Sequence, residues 1–172
     1  MKSRSFLKFG ATKLLSLGAM FALLLLPLAH ASAAYPGVNG RLAYATDNDV
    51  YTAFADATNT TKLGSGARPA WSADGTKITF SDNTSVGIYD IYIMNSDGTG
   101  KTKLTSEAAN VLDSHPYFSP DGSQIVFASN SANPGSGSEI YVMNADGTGR
   151  TQLTTGGAGI SYTYPSFSPD GS

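Results

Sequence analysis

One phrase recurs three times: Pro69-Ala-Trp-Ser-Ala-Asp-Gly75, Pro116-Tyr-Phe-Ser-Pro-Asp-Gly122 and Pro165-Ser-Phe-Ser-Pro-Asp-Gly171. The prolines stand 47 and then 49 residues apart. Self-similarity at that period means one supersecondary unit repeated, each copy burying its apolar faces against its neighbours. This excludes a single-core helical bundle and points to stacked sheets, as in a β-propeller.

The unit is clearest from Pro116 on. After the phrase come Gln124 to Ser129, a loop, Glu139 to Asn144, the turn Asp146-Gly147-Thr148-Gly149 and Thr151 to Thr154. This reads as four strands, a to d. Ile125-Val126-Phe127-Ala128 and Ile140-Tyr141-Val142-Met143 are continuous apolar runs, which predicts strands buried on both faces. Pro-Asp-Gly and Asp-Gly-Thr-Gly supply fixed and positive φ at the corners.

The copy from Pro69 matches strand by strand, with Lys77 to Ser81, Asp90 to Asn95 and Lys101 to Thr105. A weaker first copy has Gly40-Arg41-Leu42-Ala43-Tyr44 for strand b, and its Asp49 through Leu63 align without gaps on Asp90 through Leu104, at an offset of 41. There Ala57 and Asn59 replace Gly98 and Gly100. Ala accepts a left-handed conformation poorly, so a looser turn is expected. The expected blades are about 36–68, 69–115 and 116–164, with a further one opening at 165–172. The fold class is all-β: four-stranded antiparallel blades, about three of them. That is either an incomplete propeller, the chain being a fragment, or half of a six-bladed ring closed by strand exchange between two copies.

The N-terminus has its own logic. Lys2, Arg4, Lys8 and Lys13 precede an apolar run from Leu14 to Leu28, and Ala31-Ser32-Ala33 offers a small-residue cleavage site. Residues 1–33 are therefore expected to be a secretory signal peptide, its apolar run being shorter than the roughly 20 residues of a stable span. Export to the periplasm or the extracellular space follows as an expectation. The chain has 11 basic and 13 acidic residues and no cysteine. Removing the leader leaves seven basic against thirteen acidic, a poor match for nucleic acid or anionic lipid.

Candidate chemistry is sparse. Beyond the leader there is one histidine, His115, and no spacing typical of a zinc site. No nucleophile elbow is present, so neither catalytic residues, a metal nor a cofactor are expected. The Asn-x-Asp-Gly segments at 95–98 and 144–147 read as hairpin turns rather than calcium loops. Asp49, Asp90 and Glu139, each heading a strand c, are expected to bond local turn backbone or to be solvated.

Loop length is more informative. From the b aromatic to the c aliphatic the steps are 6, 11 and 13 residues, and from the d leucine to the next proline 6, 12 and 12. The a–b and c–d turns keep their length. In an antiparallel blade the b–c and d–a loops share one face, where binding residues concentrate. The candidates are Arg68, His115 and Tyr164, just before each strand a, with Asp113 and Tyr162 beside them.

The phrases Phe-Ser-Pro-Asp-Gly, Ile-Tyr-Val-Met-Asn-Ala-Asp-Gly-Thr-Gly and Thr-Gln-Leu-Thr, in this order, resemble the TolB-like β-propeller repeat, over residues 36–172. That superfamily includes the periplasmic TolB component, secreted proteins of unknown role and the propellers of prolyl-oligopeptidase-type peptidases. In TolB an α/β domain precedes the propeller; here the leader runs directly into repeats. The resemblance implies an exported, non-catalytic module that binds a protein or peptide. Its alternatives are the propeller part of an exported hydrolase and a sugar-binding or lyase-type propeller.

Overall fold

The computed structural model describes residues 40–171, apart from 86–87, 107–109, 133, 135–136 and 158. The leader predicted over residues 1–33 lies outside the described residues. Three antiparallel sheets follow one another along the chain. The first comprises β1 (Arg41–Thr46), β2 (Asp49–Phe54) and β3 (Thr61–Ser65). The second comprises β4 (Ala67–Trp71), β5 (Lys77–Ser85), β6 (Ile88–Asn95) and β7 (Thr102–Lys103). The third comprises β8 (Asp113–Phe118), β9 (Gln124–Ser129), β10 (Glu139–Asn144) and β11 (Thr151–Gln152). Each runs in sequence order from one edge to the other, so the repeat unit is the sheet, an a-b-c-d blade.

The repeated phrase builds its turn from its own side chains. Ser72 Oγ donates to Asp74 Oδ1 at 2.6 Å and accepts from the Lys77 amide, while Asp74 Oδ1 accepts from the Thr76 amide at 3.0 Å. Ser119, Asp121 and Ser123 repeat the pattern, and Gly75 and Gly122 take φ of 70° and 73°. Hydrogen bonds from Ser119 and then Ser123 hold the Asp121 carboxyl down at about 2.

The third copy forms the same turn, with Gly171 N donating to Ser168 O at 3.0 Å. Residues 165–168 nevertheless form no strand. A turn closes on local bonds, whereas a strand needs a ladder of backbone bonds to a neighbouring strand.

The first c–d turn is not looser than the later ones. Phe54 N donates to Thr58 O at 2.9 Å, matching Asn95 N to Thr99 O at 2.8 Å. Ala57 adopts φ 63° and Asn59 φ 50° to achieve this. Asp56 accepts from the Thr58 amide and hydroxyl as Asp97 does from Thr99, so side-chain bonding offsets the strain at the alanine.

Two apolar clusters join the blades. Val50 of the first meets Ile78, Phe80 and Met94 of the second. Ile91 of the second meets Phe118, Ile125, Phe127, Tyr141 and Met143 of the third. Each large side chain so buried contributes about 1.5–3 kcal/mol.

On the inward-facing side of a blade, rings on strands b and c stack: Phe80 with Tyr92 at 5.7 Å and Phe127 with Tyr141 at 5.8 Å between centroids. A cation from the start of strand d covers each pair. Lys101 Nζ lies 4.8 Å from the Tyr92 centroid and Arg150 Cζ 4.4 Å from that of Tyr141. The ring face attracts the positive charge.

The acids heading strand c are not solvated in blades two and three. Asp90 is fully buried and pairs with Lys103 Nζ at 2.7 Å. Glu139 is buried and accepts from Thr154 Oγ1 at 2.6 Å and from the Gly156 amide at 2.7 Å. Only Asp49, paired with Lys62 at 2.5 Å, keeps appreciable exposure. A buried carboxylate requires partners of this kind, and strand d and the segment after it supply them.

Candidate binding site at the strand entrances

The chain enters strand a through a bulge. Pairing of β4 with β5 shifts between Ala67 and Ala70, and pairing of β8 with β9 shifts between Ser114 and Tyr117. The residue before the proline absorbs the irregularity. Arg68, His115 and Tyr164 take φ of 54°, 55° and 56°. A proline disfavours the right-handed helical region for the residue before it, and a non-glycine residue held at positive φ costs roughly 1–3 kcal/mol. The conformation is common to three repeats while the residue type differs in each. The scaffold thus fixes the backbone and leaves the side chain to be chosen.

A bulge re-aims the side chain it carries, and His115 meets Tyr164 while Arg68 meets Tyr89. The His115 and Tyr164 rings lie 4.0 Å apart, tilted at 56°. Arg68 lies with its guanidinium 5.9 Å from the Tyr89 centroid and is close enough for its charge to act on His115. Burial first, and then Arg68, hold the His115 imidazole below its ordinary range. Tyr89 is brought in by a parallel bridge to Leu112, its amide donating to Val111 O at 3.3 Å. Around the cluster, Tyr164 is 71% exposed and Leu112 38%. A cation, a neutral imidazole and aromatic surface therefore share one entrance.

The other two candidates lie elsewhere. Asp113 is fully buried at the junction of the second and third sheets and is not on the surface. Its Oδ2 stands 3.5 Å from Arg150 Nη1, and its Oδ1 has no hydrogen-bond partner among the described residues. Burial pushes the carboxyl up to about 6 against the pull of Ser129 and Thr105, with the Asp90 charge pushing the same way as burial. A 3.5 Å contact is too long to offset the loss of hydration. Tyr162 is at the surface, but its amide donates to Ser138 O at 2.7 Å, tying it to the b–c loop of the third blade.

Asp113, Ser114 and His115 are consecutive, yet they form no catalytic relay. Ser114 Oγ lies 3.0 Å from His115 Nδ1, but the Asp113 carboxyl turns inward to Arg150. A general base needs its imidazole oriented by a third group, and Asp113 does not serve here.

A concavity of about 690 Å³ lies on the tight-turn side, lined by Arg41, Trp71, Asp74 and Asp97 of the first two blades and Tyr117 of the third. The uniformity of those turns in the sequence gave no hint of it. Likewise the Arg68 to Tyr89 and Lys101 to Tyr92 contacts went unread. For the latter a signal exists: a basic residue right after each Gly-Thr-Gly.

The putative TolB of Agrobacterium tumefaciens superposes with a TM-score of 0.61 at 27% identity, over 77% of this chain and 52% of that one. TolB of Acinetobacter baumannii gives 0.58 at 20% identity, over 77% of this chain and 33% of that one. The chain thus spans about half the length of the first and a third of the second. Residues 48–172 match the family described as TolB beta propeller domain. With three sheets that repeat one blade and a family match over most of its length, the chain belongs to the TolB β-propeller domain family.

Proposed function

We propose that this chain is an exported, non-catalytic β-propeller module that binds a protein or peptide at the strand entrances. One observation carries the reading: Arg68, His115 and Tyr164 share a strained backbone conformation in three repeats, with His115 packed against Tyr164 and Arg68 against Tyr89. Strain held at a surface cluster is a frequent mark of a binding site, and binding residues sit on loops carried by a rigid scaffold. Export rests on the charged, apolar and small-residue pattern of residues 1–33. That the Asp113 carboxyl turns to Arg150 rather than to His115 favours binding over hydrolysis.

The test is a random-peptide display selection against the chain, with a His115→Asn, Tyr164→Asn double variant as counter-target. Asn tolerates left-handed φ, so the variant keeps the backbone. Peptides that bind the parent and lose affinity for the variant support the reading. Peptides that bind both equally, or no selected peptides at all, overturn it. Fusing residues 1–33 to alkaline phosphatase tests export separately.

A further inference from the structure

Arg68 differs from every other cation among the described residues. Lys62, Lys101, Lys103 and Arg150 face the carboxylates of Asp49, Asp82, Asp90 and Asp113. Lys77 donates to Asn95 Oδ1 at 2.6 Å and Arg41 to Thr52 Oγ1 at 3.1 Å. Arg68 is exposed and, among the described residues, has no hydrogen-bond acceptor, only the Tyr89 ring. A planar guanidinium with its donors unused is a ready partner for a planar anion. Beside aromatic surface, Arg68 is the one cation without a hydrogen-bond acceptor among the described residues.

We infer that Arg68 receives a peptide carboxylate, C-terminal or on an acidic side chain, with the flanking residues lying on the Tyr89 and Tyr164 rings, the latter backed by the buried His115. This rests on the reading of the entrance cluster as a peptide site. The single charge follows from the donors present: one guanidinium, and an imidazole whose protonation burial and then Arg68 oppose. A dianion such as a phosphate would call for more positive charge. The apolar flank, with Leu112 and Tyr164 exposed, suits a peptide better than a bare ion.

The experiment uses three randomised tetrapeptide mixtures: neutral and C-terminally amidated, the same with a free C-terminal carboxylate, and amidated with one glutamate added. Galacturonate serves as a sugar acid. Amide shifts at residues 68, 89, 115 and 164 are followed by NMR. The expected result is saturable shifts with one or both acidic mixtures, about tenfold or more tighter than with the neutral one. The two acidic arms tell the C-terminal source from the side-chain source.

Arg68→Asn, which suits the local φ, should abolish the preference, and Arg68→Lys should restore part of it. Equal binding of acidic and neutral mixtures, or an acid preference that survives Arg68→Asn, overturns the inference while leaving the peptide-binding reading intact. Binding of galacturonate with no response to any peptide mixture overturns both.

Discussion

β1 and β9 occupy the same place in their blades and differ in almost every other respect. Each is strand b and pairs antiparallel with its strand c over six residues. Yet β9 is buried from Ile125 to Ser129, whereas β1 is exposed at every residue but one. Phe127 is fully buried beneath Arg150, while its counterpart Tyr44, stacked on Tyr51 at 5.6 Å, is 38% exposed. In the position of Arg150 and Lys101 the first blade has Thr60. Strand formation is thus local to a hairpin, whereas β9 owes its burial to the preceding blade, whose Ile91 packs against it. A sheet with one wet face retains its register and loses most of its packing energy.

The sharpest way to break this comparison is to truncate the ring in each blade. Phe127→Ala should destabilise by about 3–5 kcal/mol, and Tyr44→Ala by less than about 1 kcal/mol, both read from urea denaturation. Equal losses would mean that Tyr44 is covered in solution.

The buried acid of the third blade gives the next largest effect. The folded-state pKa of Asp113, about 6, lies above its ordinary 3.8. The native state therefore holds this proton more tightly than the unfolded chain, so the contribution is full below pH 4 and is lost as pH rises through 6. By linkage the loss is on the order of 1–3 kcal/mol. Asp113→Asn should remove that pH dependence, measured as denaturation midpoints at pH 4 and pH 7. A variant that loses stability equally at both would contradict the assignment.

His115 titrates with the opposite sign. Its folded-state pKa is lowered, so its stabilising effect is present above the ordinary value of 6.5 and is lost as pH falls through the folded value. His115→Asn should flatten melting temperature against pH in the mildly acidic range. An unchanged acid slope would show that other groups set it.

Two smaller changes sharpen the comparison from the side of the first blade. Ala57→Gly relieves an alanine at φ 63° and should stabilise by about 1 kcal/mol, read from the denaturation midpoint. Thr60→Arg should place a cation over the Tyr44 and Tyr51 stack for about 0.5 kcal/mol; no gain would indicate that the neighbouring blade, and not the ring pair, holds Arg150 in place.

Much of the scaffold was legible along the chain. The period fixed the repeat, the apolar runs gave strands b and c, and Ser-x-Asp-Gly marked a turn that closes on its own side chains, even at Ser168 to Gly171 where no strand precedes it. The residues ahead of each proline could be picked out from the lengths of the loops around them. Their left-handed φ could not: Arg68 and His115 adopt it where pairing shifts against β5 and β9, and Tyr164 adopts it outside any strand.

Asp113 shows the limit most clearly. Two residues from His115 and equally polar, it read as a neighbour on the same surface, but the bulge sends one side chain to the entrance and the other into the sheet junction. The acids at 90 and 139 are buried for a different reason, because strand d and the segment after it place Lys103, Thr154 and Gly156 against them. What the sequence determined by itself was everything decided within one turn or one hairpin, since those bonds join residues a few positions apart. Which faces are dry, which carboxylates are paired and which cation is left uncompensated were decided only by tertiary structure, because each depends on what an adjacent blade, some 40 to 50 residues away, places opposite.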